Sequence, residues 1–275
     1  MNIEFEISSK CNLECPLCAR THMLLHREFL NKNLPLSIYK NILEDTRPTK
    51  IKLCGVLGDP FANKELEKYI DFAVSKNIFV NITTNATLGK IDLWERLAIL
   101  GEKNKIKITL SIDGLKNTNH LYRINAKWNQ IEEKLNAIRK FNHNFVWKSI
   151  VFKHNRHQKI DLEKLAKKYN CSISFLPLTK RNSMISELSK NNGEKSNYLL
   201  KTEIPNVESF DCMHTNENGI FVDVKGNIWP CFFHYDHYLR FGYNRTDFDF
   251  LLDHKNQNRC KHSCGKESKS KWRAT

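Results

Sequence analysis

No segment of this 275-residue sequence approaches the run of ~20 apolar residues needed to cross a bilayer. An N-terminal targeting signal is missing too, since Met1 leads directly into Asn2-Ile3-Glu4-Phe5-Glu6-Ile7, where charged and apolar residues alternate. These absences argue against a membrane partner, and a cytoplasmic, soluble protein is expected. Without an export signal, the nine cysteines read as metal ligands and not as a disulfide framework. Acidic residues are in short supply: 30 Asp and Glu stand against 44 Lys and Arg, for a net charge of +14. That balance suits an anionic partner such as nucleic acid or an acidic peptide. A genome biased toward Lys, Asn and Ile would leave the same excess, and the lysines are scattered apart from the basic tail at 266–275.

The chain is long enough for one large domain, or for a barrel with a small appendage. Its densest chemistry lies near the start, in Cys11-Asn12-Leu13-Glu14-Cys15-Pro16-Leu17-Cys18. Three thiols spaced C-x3-C-x2-C can wrap one cuboidal iron–sulfur cluster and ligate three of its four irons. The fourth iron is then open to a small molecule. A zinc site is the alternative for three close cysteines, although zinc usually takes four ligands.

The loop follows a strand read over Ile3–Ile7 by its two-residue alternation. Further strands are expected at Lys50–Cys54, Ile78–Thr83, Ile106–Gly114 (the strand with its turn), Phe145–Phe152 and Cys171–Leu176. Helices are expected between them: one opened by Pro35, one through Leu66–Val74, and one over Ile91–Leu100 stopped by Gly101. Two more are expected over Trp128–Phe141 and Ile160–Tyr169. Six alternating units predict a parallel sheet. Two short of a closed eight-fold barrel, they predict an open, partial (β/α)6 TIM-like barrel. Such barrels place their chemistry at the C-terminal ends of the strands. The cysteine loop has that position, as does the turn Gly55-Val56-Leu57-Gly58-Asp59-Pro60, whose glycines let backbone approach a ligand closely. Asp59 and Asp113 are accordingly expected to affect ligand binding more than folding. Cys54 and Cys171, within or beside strands, read as packing residues.

The composition changes at 181–209, a polar connector with a helix expected around 183–188. A second cysteine group follows at Cys212, Cys231, Cys260 and Cys264. Gly219–Val224 and Asn227–Pro230 read as a hairpin turning at Lys225-Gly226, and a short helix is expected over Asp247–Leu252. Four cysteines there can enclose one metal centre with no vacancy. A zinc site is the alternative, and His214, His234, His237 and His262 are near enough in sequence to serve as ligands.

Taken in order, these features resemble the radical S-adenosylmethionine (radical SAM) enzymes that carry an auxiliary cluster domain of the twitch or SPASM type. The resemblance implies a [4Fe–4S] cluster on Cys11, Cys15 and Cys18, whose open iron is chelated by SAM. It also implies reductive cleavage of SAM and hydrogen abstraction from substrate by a 5′-deoxyadenosyl radical. Gly58-Asp59-Pro60 takes the place of the family's glycine-rich segment for the SAM amine, with Asp59 for the usual Glu. Leu17 stands where the family often has an aromatic residue against the adenine. Thr84 and Asn85, after the third strand, join the implied SAM site. So do Ser111 and Asp113, from Ser-Ile-Asp-Gly, together with Arg123. Cys212, Cys231, Cys260 and Cys264 would hold an auxiliary [4Fe–4S] cluster, although the closing C-x3-C is one residue longer than the family's spacing. The implied organisation is a barrel over 1–180, a connector over 181–209, a hairpin-and-helix cluster domain over 210–265 and a basic tail. The implied partners are a one-electron reductant of flavodoxin or ferredoxin type and a peptide or small-molecule substrate, for which the positive charge would suit an anionic one. The competing reading is a basic, metal-stabilised nucleic-acid binder in which Trp229, Phe232, Phe233, Tyr235 and Tyr238 stack bases, although this run reads better as hairpin packing. No general base stands out in the sequence.

Overall fold

Parallel strands alternate with helices in the computed structural model, which describes residues 2–23, 27–177, 219–229 and positions 231, 232, 235 and 239. The strands are β1 (Asn2–Phe5), β2 (Lys50–Leu53), β3 (Phe79–Thr84), β4 (Ile106–Ser111), β5 (Val146–Val151), β6 (Ser172–Pro177), β7 (Ile220–Val222) and β8 (Ile228–Trp229). The helices are α1 (Ala19–His22), α2 (Leu36–Thr46), α3 (Leu66–Ser75), α4 (Ile91–Glu102), α5 (Asn119–Tyr122), α6 (Trp128–Ile138) and α7 (Lys159–Lys168). All six strands expected before residue 180 are present, with ends displaced by no more than two residues once the turn after β4 is set aside.

The strands form one sheet in the order β6-β5-β4-β3-β2-β1-β7-β8, parallel throughout except for the β7–β8 hairpin. Register explains the alternation. Phe5 lies opposite Leu53, Leu53 opposite Ile82 and Ile82 opposite Ile108, and all four are buried in the main core under the helices. Tyr39 of α2 and Tyr69 of α3 enter the same core, where Phe5 and Tyr39 meet edge-on at 4.8 Å. The alternate row, Glu4, Lys52, Asn81 and Lys107, is polar and lies on the sheet's other face. Glu4 and Lys52 pair there at 3.0 Å.

Two expectations are corrected. Gly101 does not stop α4, which continues through Glu102. A Cβ at Gly101 would lie 3.1 Å from Phe145, so the glycine lets the helix pack on the strand, and the chain turns at Asn104, with φ of 52°. β1 ends at Phe5, so Glu6 and Ile7 already belong to the segment leading into the cysteine loop.

The hairpin forms where expected, with Gly226 at φ of 83°, a left-handed conformation that suits glycine. Asp223 fixes the turn by accepting from the amides of Lys225 and Asn227 and from the Trp229 indole. The hairpin does not stand apart from the barrel. β7 pairs with the outer edge of β1, satisfying backbone groups that an edge strand would leave open. A second buried cluster then joins Ala19 and Met23 after the cysteine loop to Leu57, and to Phe221, Trp229 and Tyr235.

The expected connector over 181–209, Cys212, Cys260, Cys264, the short helix over 247–252, the four candidate histidine ligands and the basic tail lie outside the described residues. Among the described residues no helix is long and apolar enough to cross a membrane.

Candidate active site

The cysteine loop begins five residues after β1 and is held from three sides. Within the loop, the Cys18 amide donates to the Cys15 carbonyl at 3.0 Å, and the Thr21 hydroxyl donates to the same oxygen at 2.9 Å. Beyond β3, Asn12 reaches the Thr87 hydroxyl at 2.9 Å. Beyond β4, the Glu14 amide donates to the Ile124 carbonyl at 3.2 Å.

Sulfur-directed donors surround the loop. The Leu13 amide lies 3.4 Å from Cys11 Sγ, Asn85 Nδ2 lies 3.7 Å from the same sulfur, and Arg123 Nη1 lies 3.8 Å from Cys15 Sγ. Donors of this kind stabilise thiolate ligands and tune clusters bound by them. Burial pushes the Cys11 thiol up to about 12 and the Cys15 thiol up to about 11, the latter against the nearby Arg123 charge. In the metal-free chain both are therefore thiols at neutral pH, and metal binding must displace their protons. The six described cysteines are not joined in disulfides. Among the described residues, no three His, Cys, Asp or Glu side chains gather as a single-ion site. The donor set fits a thiolate-bound cluster by its chemistry: three thiols on one loop with N–H donors aimed at two of them.

The other expected site residues fall around this loop. Asp59 is buried, and its carboxylate accepts from the Phe61 amide at 3.0 Å, the Asn85 amide at 2.7 Å and the Thr84 hydroxyl at 2.9 Å. It thereby clamps the glycine turn to the end of β3 and caps the 3-10 turn Pro60–Ala62. Burial raises its pKa, opposed by the Asn85 and Phe61 amides. Gly58 is required by close approach, because a Cβ there would collide with the Ser8 carbonyl. Asp113, 0% exposed, accepts from Arg123 Nε at 2.7 Å and from the Ile150 amide at 2.6 Å. Its own amide donates to Asn119, and Asn155 donates to its carbonyl. Arg123 follows α5 and has only 18% side-chain exposure. Burial works against its charge, and the Asp113 carboxylate and Cys15 more than offset this, so its pKa is raised. Leu17 is buried with Leu13, Cys15, Tyr122 and Phe152. Ser111 is half-buried and in register with Lys148. Both aspartates are thus hydrogen-bonded into the fold around the cysteine loop.

Sequence reasoning missed several participants. Asn12 and Thr87 link the cysteine loop to β3 through side-chain hydrogen bonds alone. His154, after β5, stacks on Phe152 at 5.2 Å, and burial lowers its pKa against the Asp113 charge. Glu6 is 0% exposed, and its Oε1 accepts from the Leu57 amide at 2.6 Å. Its only sequence signal, alternation with apolar neighbours, reads as a solvent-facing position.

Burial pushes the Glu6 carboxyl from 4.5 up to about 8, with Asp223 adding to the effect and the Leu57 amide and Tyr235 hydroxyl opposing it. Between those two values the native chain holds a proton that the unfolded chain has lost, so stability falls as pH rises. Glu6→Gln carries no such proton. It is expected to gain stability over the wild type as pH rises from 5 to 9, by an amount on the order of a few kcal/mol. Thermal melts of the metal-free proteins across that range check this, and a stability difference that ignores pH would refute it.

A parallel α/β sheet with a three-thiol loop at the end of its first strand, flanked by a glycine turn and a buried Asp–Arg pair, defines a class of thiolate-cluster enzyme. Residues 5–168, more than half of the chain, match the family model described as the radical SAM superfamily, and the chain belongs to that superfamily. Over 78 residues it is 36% identical to the 7-carboxy-7-deazaguanine synthase of Aquifex aeolicus (strain VF5), a stretch covering 28% of this chain and 33% of that protein. Among solved structures, SuiB of Streptococcus suis bound to the precursor peptide SuiA aligns with a TM-score of 0.61 at 15% identity, over 88% of this chain and 61% of SuiB. Native anSMEcpe with bound AdoMet aligns with a TM-score of 0.57 at 17% identity, over 84% of this chain and 74% of that one. At these identities the likeness is one of fold. The chain spans a third of its curated relative and less than two thirds of SuiB.

Proposed function

We propose that this chain binds a [4Fe–4S] cluster through Cys11, Cys15 and Cys18, binds SAM against it, and oxidises or cross-links an organic substrate. When bound, the cluster and SAM together supply a 5′-deoxyadenosyl radical by reductive cleavage, with the electron coming from an external flavodoxin- or ferredoxin-type donor. The observation that carries the reading is the three-thiol loop with amide and guanidinium donors directed at its sulfurs. The chain's own residues have distinct tasks. Arg123 and Asn85 hold the ligand sulfurs and favour their deprotonated form. Asp59 fixes the Gly55–Asp59 turn in the shape that receives the SAM amine, beside Gly58 and Pro60. Ser111, Asp113 and Arg123 serve the ribose and the methionine carboxylate, the buried Asp113 acting by positioning Arg123. Thr84 holds Asp59, and Leu17 gives the adenine an apolar contact. The test is anaerobic reconstitution followed by reduction with SAM present. Iron loading and 5′-deoxyadenosine formation are expected. Bound zinc with little iron, and no SAM cleavage, would return the chain to the basic nucleic-acid binder.

SuiB is found bound to a precursor peptide and anSMEcpe to the Cp18Cys peptide, which favours a peptide. The curated relative is named for making 7-carboxy-7-deazaguanine, which favours a small molecule. The excess of positive charge suits an anionic example of either.

An auxiliary [4Fe–4S] cluster on Cys212, Cys231, Cys260 and Cys264 would take the substrate's remaining electron. Cys231 is buried directly after the hairpin, close in sequence to Tyr235 of the second core cluster. Replacing Cys260 and Cys264 with alanine is expected to lower iron content toward half while SAM cleavage persists and oxidised product is lost. Mössbauer spectra and product assays read both effects. Full iron content would show that these cysteines are not ligands.

A further inference from the structure

We infer that Glu6 is the positioning residue that sets the Gly55–Asp59 turn, and that through it the C-terminal hairpin controls SAM affinity. The inference rests on the reading of that turn as the SAM-amine segment.

Four observations converge on Glu6. It is wholly buried on the segment between β1 and the cysteine loop, and its Oε1 accepts from the Leu57 amide at 2.6 Å, in the middle of the turn. A Cβ on Gly55 would lie 3.0 Å from that same oxygen, so turn and carboxyl are in close contact. Its own amide donates to the Val222 carbonyl of the hairpin at 2.9 Å, and Asp223 of the hairpin turn and Tyr235, both 0% exposed, interact with its carboxyl. Leu57 and Val56 pack in the cluster that contains Phe221, Trp229 and Tyr235 of the C-terminal segment. The turn is held at its far end by different groups, since the Asp59 amide donates to the Lys10 carbonyl at 2.9 Å and the Asp59 carboxylate is tied to β3. Glu6 is therefore the carboxylate anchor of the near half, which the Cys18 thiol also meets at the Val56 carbonyl, 4.0 Å away. A buried amide left without its acceptor costs free energy, which the turn would relieve by opening.

Glu6 touches neither the cysteine sulfurs nor any reacting atom, so its effect should be on binding and not on turnover. Glu6→Met removes the acceptor while keeping the core filled, and Glu6→Gln keeps an acceptor. Amide hydrogen exchange on the metal-free protein reports the turn without reference to SAM. In the wild type the 55–59 segment should be protected. In Glu6→Met its exchange should quicken at least about tenfold, with α3 and α4 unchanged, and Glu6→Gln should restore protection. On reconstituted protein, Glu6→Met should weaken SAM binding by about tenfold or more, leave kcat for 5′-deoxyadenosine formation at saturating SAM within about threefold, and be rescued by Glu6→Gln. Asp223→Asn, which perturbs the hairpin side alone, should shift both readouts in the same direction by a smaller factor. A wild-type Leu57 amide that exchanges like a surface amide overturns the inference whatever the variants do. So does lost protection with unchanged SAM affinity, or an Asp223→Asn protein identical to wild type. Wild-type protein that loads iron but binds no SAM would instead sink the functional reading, and the positioning role with it.

Discussion

Replacing Cys11, Cys15 and Cys18 together with alanine should abolish 5′-deoxyadenosine formation completely, a larger functional loss than any other change to this chain. All three thiols lie on one loop, and no other cysteine neighbours them in sequence to take a vacated place. The change should leave folding nearly intact. The loop packs in a small cluster with Leu13, Leu17, Tyr122 and Phe152, apart from the main core under the helices. Its backbone is held by the Thr21, Asn12 and Glu14 hydrogen bonds, none of which uses a sulfur. Far-UV circular dichroism of the metal-free variant should therefore match wild type while its SAM-cleaving activity is absent. Turnover persisting in the triple variant would remove the assignment.

Asp113→Ala should be the most destabilising single change at the site. The carboxylate pairs with a guanidinium of 18% side-chain exposure, and it also satisfies the Ile150 amide. Its removal leaves a cation and an amide uncompensated in the interior, and breaking such a pair costs about 3–5 kcal/mol. Arg123→Met in the same background removes the stranded charge and should recover part of the loss, because contacting residues are not additive. Urea unfolding of the metal-free proteins measures both. A single variant within about 1 kcal/mol of wild type would mean that the network contributes little to the fold.

Much of the barrel was legible because two periodicities are hard to hide. Phe5, Leu53, Ile82 and Ile108 alternate with polar residues, and α3 and α6 carry apolar residues at helical spacing. The cysteine spacing and the strand-end positions of Asp59 and Asp113 located the site. What alternation does not reveal is whether a polar face meets water. Glu4 and Glu6 show only as the charged members of an alternating run, and both are buried. Asn12 and Thr87 carry no motif, and they matter only because the chain brings together residues 75 apart in sequence. Gly101 read as a stop from its type alone, and only the approach of Phe145 explains it. The hairpin was visible from its turn residues, whereas its place beside β1 depends on a pairing between the two ends of the chain.

That pairing has a consequence for biosynthesis. Ile3 is made well ahead of its partner Ile220, with β2 to β6 translated between them. Until then the outer edge of β1 offers unpaired backbone to any passing strand. Closing so long a loop costs little more in equilibrium entropy than closing a shorter one, but non-local pairing is slow. A nascent chain stalled after β6 would carry the cysteine loop on an open-edged sheet, a species prone to self-association. Among the described residues, a strand made late thus seals the open edge of one made early.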